Sequence, residues 1–482
     1  MDAFRGHAGS GPLDQAAAER SVGRRGKDGL MSDPKTLADG ALREILESQW
    51  QGVPAVVLRS PPGAGKTGVA QRVALQSARV LEQRCMVVTQ TNEQAFDVAR
   101  RLGGNADGFP IHLYARRGLE LPADVRGHRN IRIIEDFAHI PQQPGITIGN
   151  AAKWSWINTG EAMFDLQIVD EAFQLPDYRF QLIANLAPHH VLIGDPGQID
   201  PFVDCEIERW RCNPAGPQVS SPAALIKRHP GVMQLALPVS RRLNTDTVRL
   251  VQPAFYPDMP FQAMSEDRDL TFDVAGIMPF DAALDAVTGG AKIVMVELPP
   301  QLTGERDEEI ADELVASIRR LLMRGPWVRD DGKFERVTPE MIGVVAAHVS
   351  QVNAVRERLG RDLAGIFVET ANRFQGIERR FMFVHHPLSG RADASAFHLD
   401  AGRLCVMLSR HRVACWIFGR QGIARQLTGY APIGDRALGI DDDPEYRGWR
   451  AHLTVMSWLA KTGRLYPAVY GMAPLASGRA AG

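Results

Sequence analysis

The stretch Ala55–Ala74 has the sequence AVVLRSPPGAGKTGVAQRVA, in which an apolar run is followed by a Gly-rich loop and then by a helical pattern. The backbone N–H groups of such a loop, together with the N-terminus of the next helix, form a cavity for phosphate oxygens. In this arrangement Lys66 would reach the β- and γ-phosphates of a nucleotide, and Thr67 would place its hydroxyl on Mg²⁺. The predicted phosphate-loop residues are Pro62, Gly63, Ala64, Gly65, Lys66 and Thr67.

The loop departs from the pattern GxxxxGK[ST] at its first position, where Ser60 stands in place of Gly. Gly63 and Gly65 are retained, and they flank the closest approach of the backbone to the phosphates. We therefore expect the phosphate site to tolerate the serine.

A second element, LQIVDEAF at Leu166–Phe173, is an apolar run that ends in the adjacent carboxylates Asp170 and Glu171. An acidic residue at the carboxyl end of a strand can hold a metal ion, and its neighbour can orient the attacking water. The alternative is an ordinary Asp-Glu pair at the start of a helix, where the polarity of the helix favours acids. The phosphate loop upstream favours the catalytic interpretation.

Short apolar runs alternate with helical patterns along the chain, which predicts an α/β fold with parallel sheets covered by helices. The predicted strands are Val56–Leu58, Met86–Thr89, Leu166–Val169, Val191–Ile193, Ile293–Val296, Ile342–Val345, Ile366–Val368, Phe381–Val384 and Cys415–Phe418. We divide the chain into a disordered tail at 1–33, a first domain at 34–225 and a second domain at 226–475. The stretch 104–146 breaks the alternation and is interpreted as a small insertion in the first domain.

The composition is that of a globular protein, with 45% hydrophobic and 23% charged residues. The formal net charge is only −1, so any nucleic-acid surface must come from local clusters of Arg and Lys. The five cysteines have no metal-ligand spacing and are interpreted as buried thiols in a reducing compartment. No apolar run approaches the ~20 residues that span a bilayer, so we expect a cytoplasmic protein with no membrane partner.

Four further segments follow in an order that resembles the superfamily 1 helicases. The segments are VLIGDPGQIDP (Val191–Pro201), similar to the third motif of that family, LPVSRRL (Leu237–Leu243), similar to the segment usually written QYRM, VETANRFQGIE (Val368–Glu378), similar to the fifth motif, and VMLSRHR (Val406–Arg412), similar to the sixth. The resemblance covers roughly residues 45–425 and is strongest to branch 1B, which includes the RNA-surveillance helicase and DNA-processing helicases, in a short bacterial-type form.

The resemblance implies two tandem RecA-like parallel-sheet domains with the ATP site in the cleft between them. It makes Gln198 the sensor of the γ-phosphate, Arg241 the first arginine finger, with Arg242 as the alternative register, and Arg410 the second finger. Such arginines stabilise the charge that spreads over the γ-phosphate at the transition state. The expected catalytic residues are Lys66, Asp170, Glu171, Gln198, Arg241 and Arg410. The resemblance also implies nucleotide contacts from Gln375, Gly376 and Glu378, and it implies ATP and Mg²⁺ as cofactors, with Mg²⁺ held by Thr67 and Asp170.

A nucleic-acid strand is the expected partner, held by phosphate contacts and base stacking. TQTNEQA (Thr89–Ala95) and TIGNAAKW (Thr147–Trp154) stand where the family contacts the strand. The predicted nucleic-acid residues are Thr91, Asn92, Thr147, Thr370, Arg116 and Arg117. Trp154 and Trp156 would either stack on bases or pack in the core.

Two other functions are compatible with the sequence. The first is an ATPase that translocates on or remodels nucleic acid without unwinding a duplex, in which case unwinding would need a protein partner. The second is a nucleotide-dependent switch subunit that binds nucleic acid and hardly hydrolyses ATP. By resemblance alone, movement is expected to run 5′ to 3′. The sequence does not reveal a preference between DNA and RNA, and single-stranded DNA is the partner we expect first.

Overall fold

The computed structural model of the protein describes residues 34–157, 162–210, 213, 216–264, 268–277, 281–429 and 443–468. The predicted tail at 1–33 lies outside the described residues, and so does Cys212. The α-helices within these ranges are α1 (Pro34–Trp50), α2 (Lys66–Arg79), α3 (Asn92–Gly104), α4 (Ala123–Arg126), α5 (Ala151–Trp154), α6 (Asp177–Gln181), α7 (Ser221–Arg228), α8 (Thr245–Phe255), α9 (Asp281–Thr288), α10 (Glu308–Met323), α11 (Val349–Arg358), α12 (Ala396–Leu399), α13 (Ala401–Leu408), α14 (Ile423–Gly429) and α15 (Pro444–Lys461).

The first half of the chain forms an eight-stranded sheet in which every pair of neighbouring strands is parallel. Its strands are β1 (Ala55–Arg59), β2 (Arg84–Thr89), β3 (Ile111–Tyr114), β4 (Ile131–Ile134), β5 (Gly145–Asn150), β6 (Leu166–Val169), β7 (His189–Gly194) and β8 (Met233–Ala236). They lie in the order β4-β3-β5-β2-β6-β7-β1-β8.

The second half of the chain holds a six-stranded parallel sheet and two small sheets. The strands are β9 (Val239–Ser240), β10 (Gln262–Ala263), β11 (Asp269–Phe272), β12 (Ile293–Leu298), β13 (Pro326–Asp330), β14 (Lys333–Arg336), β15 (Ile342–Ala346), β16 (Phe367–Thr370), β17 (Arg379–His385), β18 (His411–Arg420) and β19 (Leu465–Pro467). The parallel sheet has the order β16-β15-β17-β18-β12-β19, while β11-β13-β14 is antiparallel and β9 pairs with β10. The predicted fold class, with two RecA-like parallel sheets, is confirmed.

The strands are apolar because helices cover both faces of each parallel sheet. In β1, the side chains of Val56 and Leu58 pack with α1, α2 and α3, whereas Val57 points to the opposite face and packs with the cluster around Trp154. Each of the three strand side chains is at most 1% exposed. None of the described helices is long and apolar enough to cross a membrane.

The order of the first sheet decides which residues can meet. Strands β6, β7 and β1 are neighbours and parallel, so their carboxyl ends lie along one edge. Asp170 follows β6, Asp195 follows β7 and the phosphate loop follows β1. This edge therefore gathers two carboxylates and a phosphate-binding loop from three separate parts of the sequence.

Two features differ from the sequence-based expectation. The stretch 104–146 contributes β3 and β4, which extend the first sheet beside β5, although its Gly, Pro and Arg content masked these short strands. The chain also returns to the first sheet at β8, beyond the predicted boundary at residue 225, because β8 pairs in parallel with β1. We keep a two-domain partition as a proposal, with its boundary after Ala236.

The packing of α15 gives a prediction about stability. A side chain at Gly448 would meet the carbonyl oxygen of Leu399, whereas a side chain at Gly40, in α1, would meet nothing within 4 Å. We expect Gly448→Ala to lower the stability of the protein by about 1–3 kcal/mol, and Gly40→Ala to raise it by about 0.5–1 kcal/mol because Ala favours the helix. Thermal unfolding of the two variants measures both changes. An unfolding temperature of Gly448→Ala at or above that of the wild type would show that α15 is not packed as described.

Candidate functional site: the phosphate loop and the facing arginines

The phosphate loop connects β1 to α2 and contains two left-handed glycines. Gly63 has φ 75° and Gly65 has φ 90°. Residues with a side chain adopt this left-handed backbone region only at a cost in free energy. Ser60 is not among the positive-φ residues, and its N–H donates to the carbonyl of Gly194 at 2.9 Å. The backbone therefore does not require glycine at position 60.

Lys66 and Glu171 contact each other across this edge of the sheet. The Lys66 Nζ lies 3.0 Å from Glu171 Oε1, and both side chains are less than a fifth exposed. Glu171 has φ 53°, in the left-handed region that is costly for a residue with a side chain. Such strain concentrates at functional sites, where the surrounding structure holds the residue in place.

Asp170 is a buried carboxylate, 7% exposed, that accepts a hydrogen bond from the Glu171 N–H at 3.0 Å. Burial, and next the charge of Glu171, raise the pKa of Asp170 to about 7, whereas the charge of Lys66 lowers it. A carboxylate in this environment is stabilised by added positive charge. The oxygens of Asp170 and Thr67 are donors of the type that Mg²⁺ prefers, together with nucleotide phosphates, so the residues fit the expected ion.

A third carboxylate, Asp195, was not predicted from the sequence. It is 2% exposed and accepts hydrogen bonds from Gln198 Nε2 at 2.6 Å and from the Gly197 N–H at 3.0 Å. Burial raises its pKa, and the charge of Lys66 opposes that shift. Asp195 thus fixes the amide of Gln198 within the loop that follows β7. The signal that could have identified it is the polar residue directly after the buried strand β7.

The segment that carries Arg241 and Arg242 lies directly on the phosphate loop. The Arg241 N–H donates to the Gly63 carbonyl at 3.0 Å, and the Ser240 hydroxyl donates to the Pro62 carbonyl at 2.7 Å. Ser240 is fully buried. It stands where the resembling family has an aromatic residue, and here its small hydroxyl joins the two segments.

The two arginines point to different partners. The guanidinium carbon of Arg241 lies 4.0 Å from the position that a Cβ would take on Gly65, so this side chain faces the phosphate loop. Arg242 instead donates from Nε to Glu378 Oε2 at 2.7 Å and from Nη1 to the Ser409 carbonyl at 3.3 Å. The geometry therefore favours Arg241 as the finger and gives Arg242 a structural ion pair.

Arg410 approaches the site from the amino end of β18. It is 2% exposed, and its Nε and Nη2 have no hydrogen-bond partner among the described residues. Burial, and next the charge of Arg242, lower the pKa of Arg410 to about 10, whereas the charges of Asp195 and Glu171 raise it. Unpaired buried donors on a cation are costly, and their presence beside two site carboxylates indicates a position for an anion.

The expected nucleotide contacts of the fifth motif lie in the segment that connects β16 to β17. Glu378 pairs with Arg242 and also accepts from Arg412 Nη1 at 3.1 Å. Burial raises the pKa of Glu378, but the charges of these two arginines outweigh it and lower the pKa. Gln375 is half-buried and Gly376 has φ 78°. The described contacts of Glu378 are to arginines, and direct nucleotide contact by the three residues stays a prediction.

The predicted nucleic-acid residues occupy several environments. Thr91 caps α3, where its side chain accepts from the Gln94 N–H, and Asn92 accepts from Asn150 Nδ2 at 2.6 Å. Because β2 and β5 are neighbours, this amide pair lies at the carboxyl edge of the first sheet. Asn150 was not predicted as a site residue, although it is the last residue of β5 and lies at the same edge of the sheet.

The prediction for Thr147 is wrong. Thr147 lies inside β5, flanked by Met86 of β2 and His112 of β3, and it is 3% exposed. A residue in the interior of a central strand cannot contact a strand of nucleic acid. Arg116 and Arg117 are exposed just beyond the carboxyl end of β3.

Thr370 is half-buried at the end of β16 in the second sheet.

The two tryptophans that follow β5, Trp154 and Trp156, differ in their exposure to solvent. Trp154 is fully buried and packs against Tyr114, with ring centroids 5.0 Å apart, so it is a core residue. Trp156 is 85% exposed and remains available to a base.

Three of the described cysteines, Cys85, Cys405 and Cys415, are buried free thiols, as predicted. The prediction is wrong for Cys205, which is free but exposed. Across the described ranges, no group of three or more His, Cys, Asp or Glu side chains could hold a metal ion. A site with one carboxylate and one hydroxyl agrees with that result, because Mg²⁺ in nucleotide sites takes much of its coordination from phosphates and water.

Residues 309–422 match the family model of the AAA domain, which is less than half of the chain. Three solved structures are similar over 78% of this chain at 15% sequence identity. The PRRSV helicase has a TM-score of 0.40 over 54% of its length, and Arterivirus nonstructural protein 10 (helicase) has 0.41 over 63%. The complex of that Arterivirus helicase with DNA has 0.40 over 64% of its length. No curated protein matches the chain.

The chain thus spans less than two thirds of the length of these helicases. Its sheets and site define it as an α/β protein with two parallel sheets, in which the phosphate loop after β1 faces arginines from the chain beyond β8. The family match is confined to residues 309–422. Membership of the superfamily 1 helicases, and of a branch within it, stays a prediction.

The raised pKa of Asp170 predicts a pH-dependent effect on stability. In the folded protein Asp170 keeps its proton up to a pH of about 7, whereas the unfolded chain loses it near pH 4. The wild type therefore loses stability as the pH rises from about 4 to about 7. Asp170→Asn removes this loss, so we expect the variant to be more stable than the wild type by up to about 4 kcal/mol above pH 7 and nearly equal to it at pH 4.

Unfolding of both proteins is followed by circular dichroism across this pH range in metal-free buffer. Asp107→Asn is the matched control, because the side chain of Asp107 is 89% exposed, and it is expected to follow the wild type. If the stability gained in Asp170→Asn were the same from pH 4 to pH 8, the raised pKa of Asp170 would be contradicted.

Proposed function

We propose that the protein is an ATP-hydrolysing motor that moves on a single nucleic-acid strand in the manner of superfamily 1 helicases. The observation that carries the proposal is Arg410. Its guanidinium is buried, leaves two nitrogens without a partner among the described residues, and interacts electrostatically with Glu171 and Asp195 on the other sheet. An anion placed between Arg410 and Lys66 would satisfy both cations, and the γ-phosphate of ATP has the charge and size for that position.

The chain's own residues supply the steps of hydrolysis. The backbone of the phosphate loop binds the phosphates, and Lys66 exchanges its contact with Glu171 for the β- and γ-phosphate oxygens. Glu171, once released, orients the attacking water and accepts its proton. Thr67 and Asp170 would hold Mg²⁺, which would supply positive charge to stabilise the phosphates.

Arg241 and Arg410 stabilise the charge that develops on the γ-phosphate. Both arginines belong to the part of the chain that we assign to the second domain, whereas Lys66 and Glu171 belong to the first. Hydrolysis therefore requires the two domains to be packed together, and release of the products lets them separate. This dependence is what couples the chemistry to a movement of one domain relative to the other.

The strand would lie across the carboxyl edges of the two parallel sheets. On the first sheet, this edge presents the Asn92–Asn150 amide pair and the exposed Trp156, with Arg116 and Arg117 beyond them. Thr370 lies at the carboxyl end of β16 on the second sheet. Amide and guanidinium groups can donate hydrogen bonds to the phosphates of the strand, and an exposed indole can stack on a base. Neither contact depends on the nucleotide sequence.

The polarity of movement, proposed as 5′ to 3′, follows from the family resemblance alone, and DNA is proposed as the bound strand with RNA as the alternative. A translocating ATPase that needs a protein partner to unwind duplex has the same site. A nucleotide-dependent switch would not need Arg410 and Glu171 to meet at the γ-phosphate, so slow hydrolysis with nucleic-acid binding would favour it over a motor.

ATP hydrolysis measured with no nucleic acid, single-stranded DNA, single-stranded RNA or duplex DNA tests the proposal. We expect a single strand to stimulate the wild type and Lys66→Ala to be inactive with all four, because it has lost the phosphate contact. We expect Glu171→Gln to bind a fluorescent ATP analogue with nearly wild-type affinity and to hydrolyse ATP at least about 10²-fold more slowly.

Thr147→Ser is the matched control, since Thr147 lies inside the sheet. It is expected to keep the stimulation by single strands. No stimulation of the wild type by any nucleic acid, or unchanged turnover in Glu171→Gln, would overturn the motor proposal.

A further inference from the structure

The turn that follows α8 docks onto the edge of the first sheet. The turn consists of residues 256–259, between α8 and the strand β10. The Tyr256 hydroxyl donates to Asp195 Oδ1 at 2.7 Å, and Asp258 Oδ2 lies 2.5 Å from Nη2 of Arg59. Asp195 follows β7 and Arg59 ends β1, so one turn contacts the carboxyl ends of two neighbouring strands.

The Tyr256 side chain is enclosed on every side. It is 1% exposed, and its ring packs edge-on against Phe261 with centroids 5.4 Å apart. A Cβ on Gly197 would collide with the ring, so only glycine lets the tyrosine approach this loop. The hydroxyl also lies 3.4 Å from the Sγ of Cys405 in α13.

The hydroxyl completes the environment of Asp195. This carboxylate accepts from the Gly197 N–H, from Gln198 Nε2 and from the Tyr256 hydroxyl. The first two donors belong to the same loop as Asp195, whereas Tyr256 follows α8, in the part of the chain that we assign to the second domain. A buried carboxylate needs several donors to keep its charge, and burial together with the charge of Asp195 raises the pKa of Tyr256, so the phenol remains a donor.

The orientation of Gln198 depends on Asp195. Its Nε2 is held by Asp195 Oδ2 at 2.6 Å, and its Oε1 has no partner among the described residues. If Asp195 rotates, the amide loses the contact that fixes it. The backbone of Gln198 also meets Gly402 of α13 so closely that a Cβ on Gly402 would collide with it. The loop that follows β7 therefore contacts the second half of the chain both at Asp195, through Tyr256, and at Gln198, through Gly402.

We propose that Tyr256 is a positioning residue for Gln198: its hydroxyl fixes Asp195, and Asp195 fixes the amide of Gln198, the residue that the family resemblance makes the sensor of the γ-phosphate. The inference rests on the proposed function. Tyr256 reaches Asp195 only while the body that carries Arg241 and Arg410 is packed against the phosphate loop. Through this hydroxyl, the orientation of Gln198 depends on the contact between the two domains, which also brings Arg241 and Arg410 to the phosphate loop.

A purely structural role of Tyr256 is the alternative, since the ring belongs to a small core with Leu243 and Phe261. Tyr256→Phe separates the two roles, because it keeps the ring and its packing and removes only the donor. A role confined to packing of the ring predicts unchanged kcat, because Phe retains the ring. The positioning role predicts a lower kcat in a folded protein, since the donor to Asp195 is lost.

The experiment measures ATP hydrolysis stimulated by single-stranded DNA in four proteins: wild type, Tyr256→Phe, Gln198→Ala and the double variant. We expect Tyr256→Phe to lower kcat about tenfold, as for loss of one hydrogen bond to a charged group, while KM for ATP changes less than about twofold. In the Gln198→Ala background the same substitution is expected to change kcat less than about twofold, because both act through one amide.

Tyr178→Phe is the matched control, since it also removes a phenolic hydroxyl but Tyr178 is 43% exposed. It is expected to retain wild-type kcat. A tenfold loss from Tyr256→Phe that persists in the Gln198→Ala background would overturn the inference, as would wild-type kcat in Tyr256→Phe itself. A wild type that hydrolyses no more ATP than Lys66→Ala would instead overturn the proposed function, and the inference with it.

Discussion

The contact on which the site depends is the junction between the phosphate loop and the Ser240–Arg241 segment. Two hydrogen bonds, from the Ser240 hydroxyl to the Pro62 carbonyl and from the Arg241 N–H to the Gly63 carbonyl, join the segment to the loop. The junction brings the arginines of one half of the chain to the lysine and carboxylates of the other. Arg268 supports it from behind, donating to the carbonyl of Arg241 at 2.7 Å. Anything that separates the halves therefore removes the arginines from the phosphates.

Much of the fold follows from local pattern in the sequence. Each apolar run that was predicted as a strand lies in one of the two parallel sheets, because strands covered on both faces by helices must be apolar throughout. The phosphate loop and the carboxylates after β6 are equally local, since each is fixed by a strand and the turn that follows it. Their proximity also followed once the sheet was taken as parallel, because the carboxyl ends of its strands share an edge.

Features that depend on pairing between distant segments were beyond the sequence. Strands β3 and β4 are short and lie among Gly, Pro and Arg, and only their position beside β5 identifies them. Thr147 has the polar side chain of a contact residue, yet its strand is central, so it is buried. The link between Tyr256 and Asp195 joins residues 61 positions apart, and the choice between Arg241 and Arg242 depends on where Glu378 lies. No local pattern contains this information.

The central claim is that Arg241 faces the γ-phosphate while Arg242 holds Glu378, and single-turnover ATP hydrolysis in the two alanine variants tests it directly. Arg241→Ala is predicted to hydrolyse bound ATP about 10³-fold more slowly, with an unfolding temperature close to that of the wild type. Arg242→Ala is predicted to unfold at a lower temperature, because Glu378 loses a buried partner, and to retain far more of the hydrolysis rate. Full activity in Arg241→Ala, with hydrolysis abolished in a stably folded Arg242→Ala, would contradict the assignment of the two arginines.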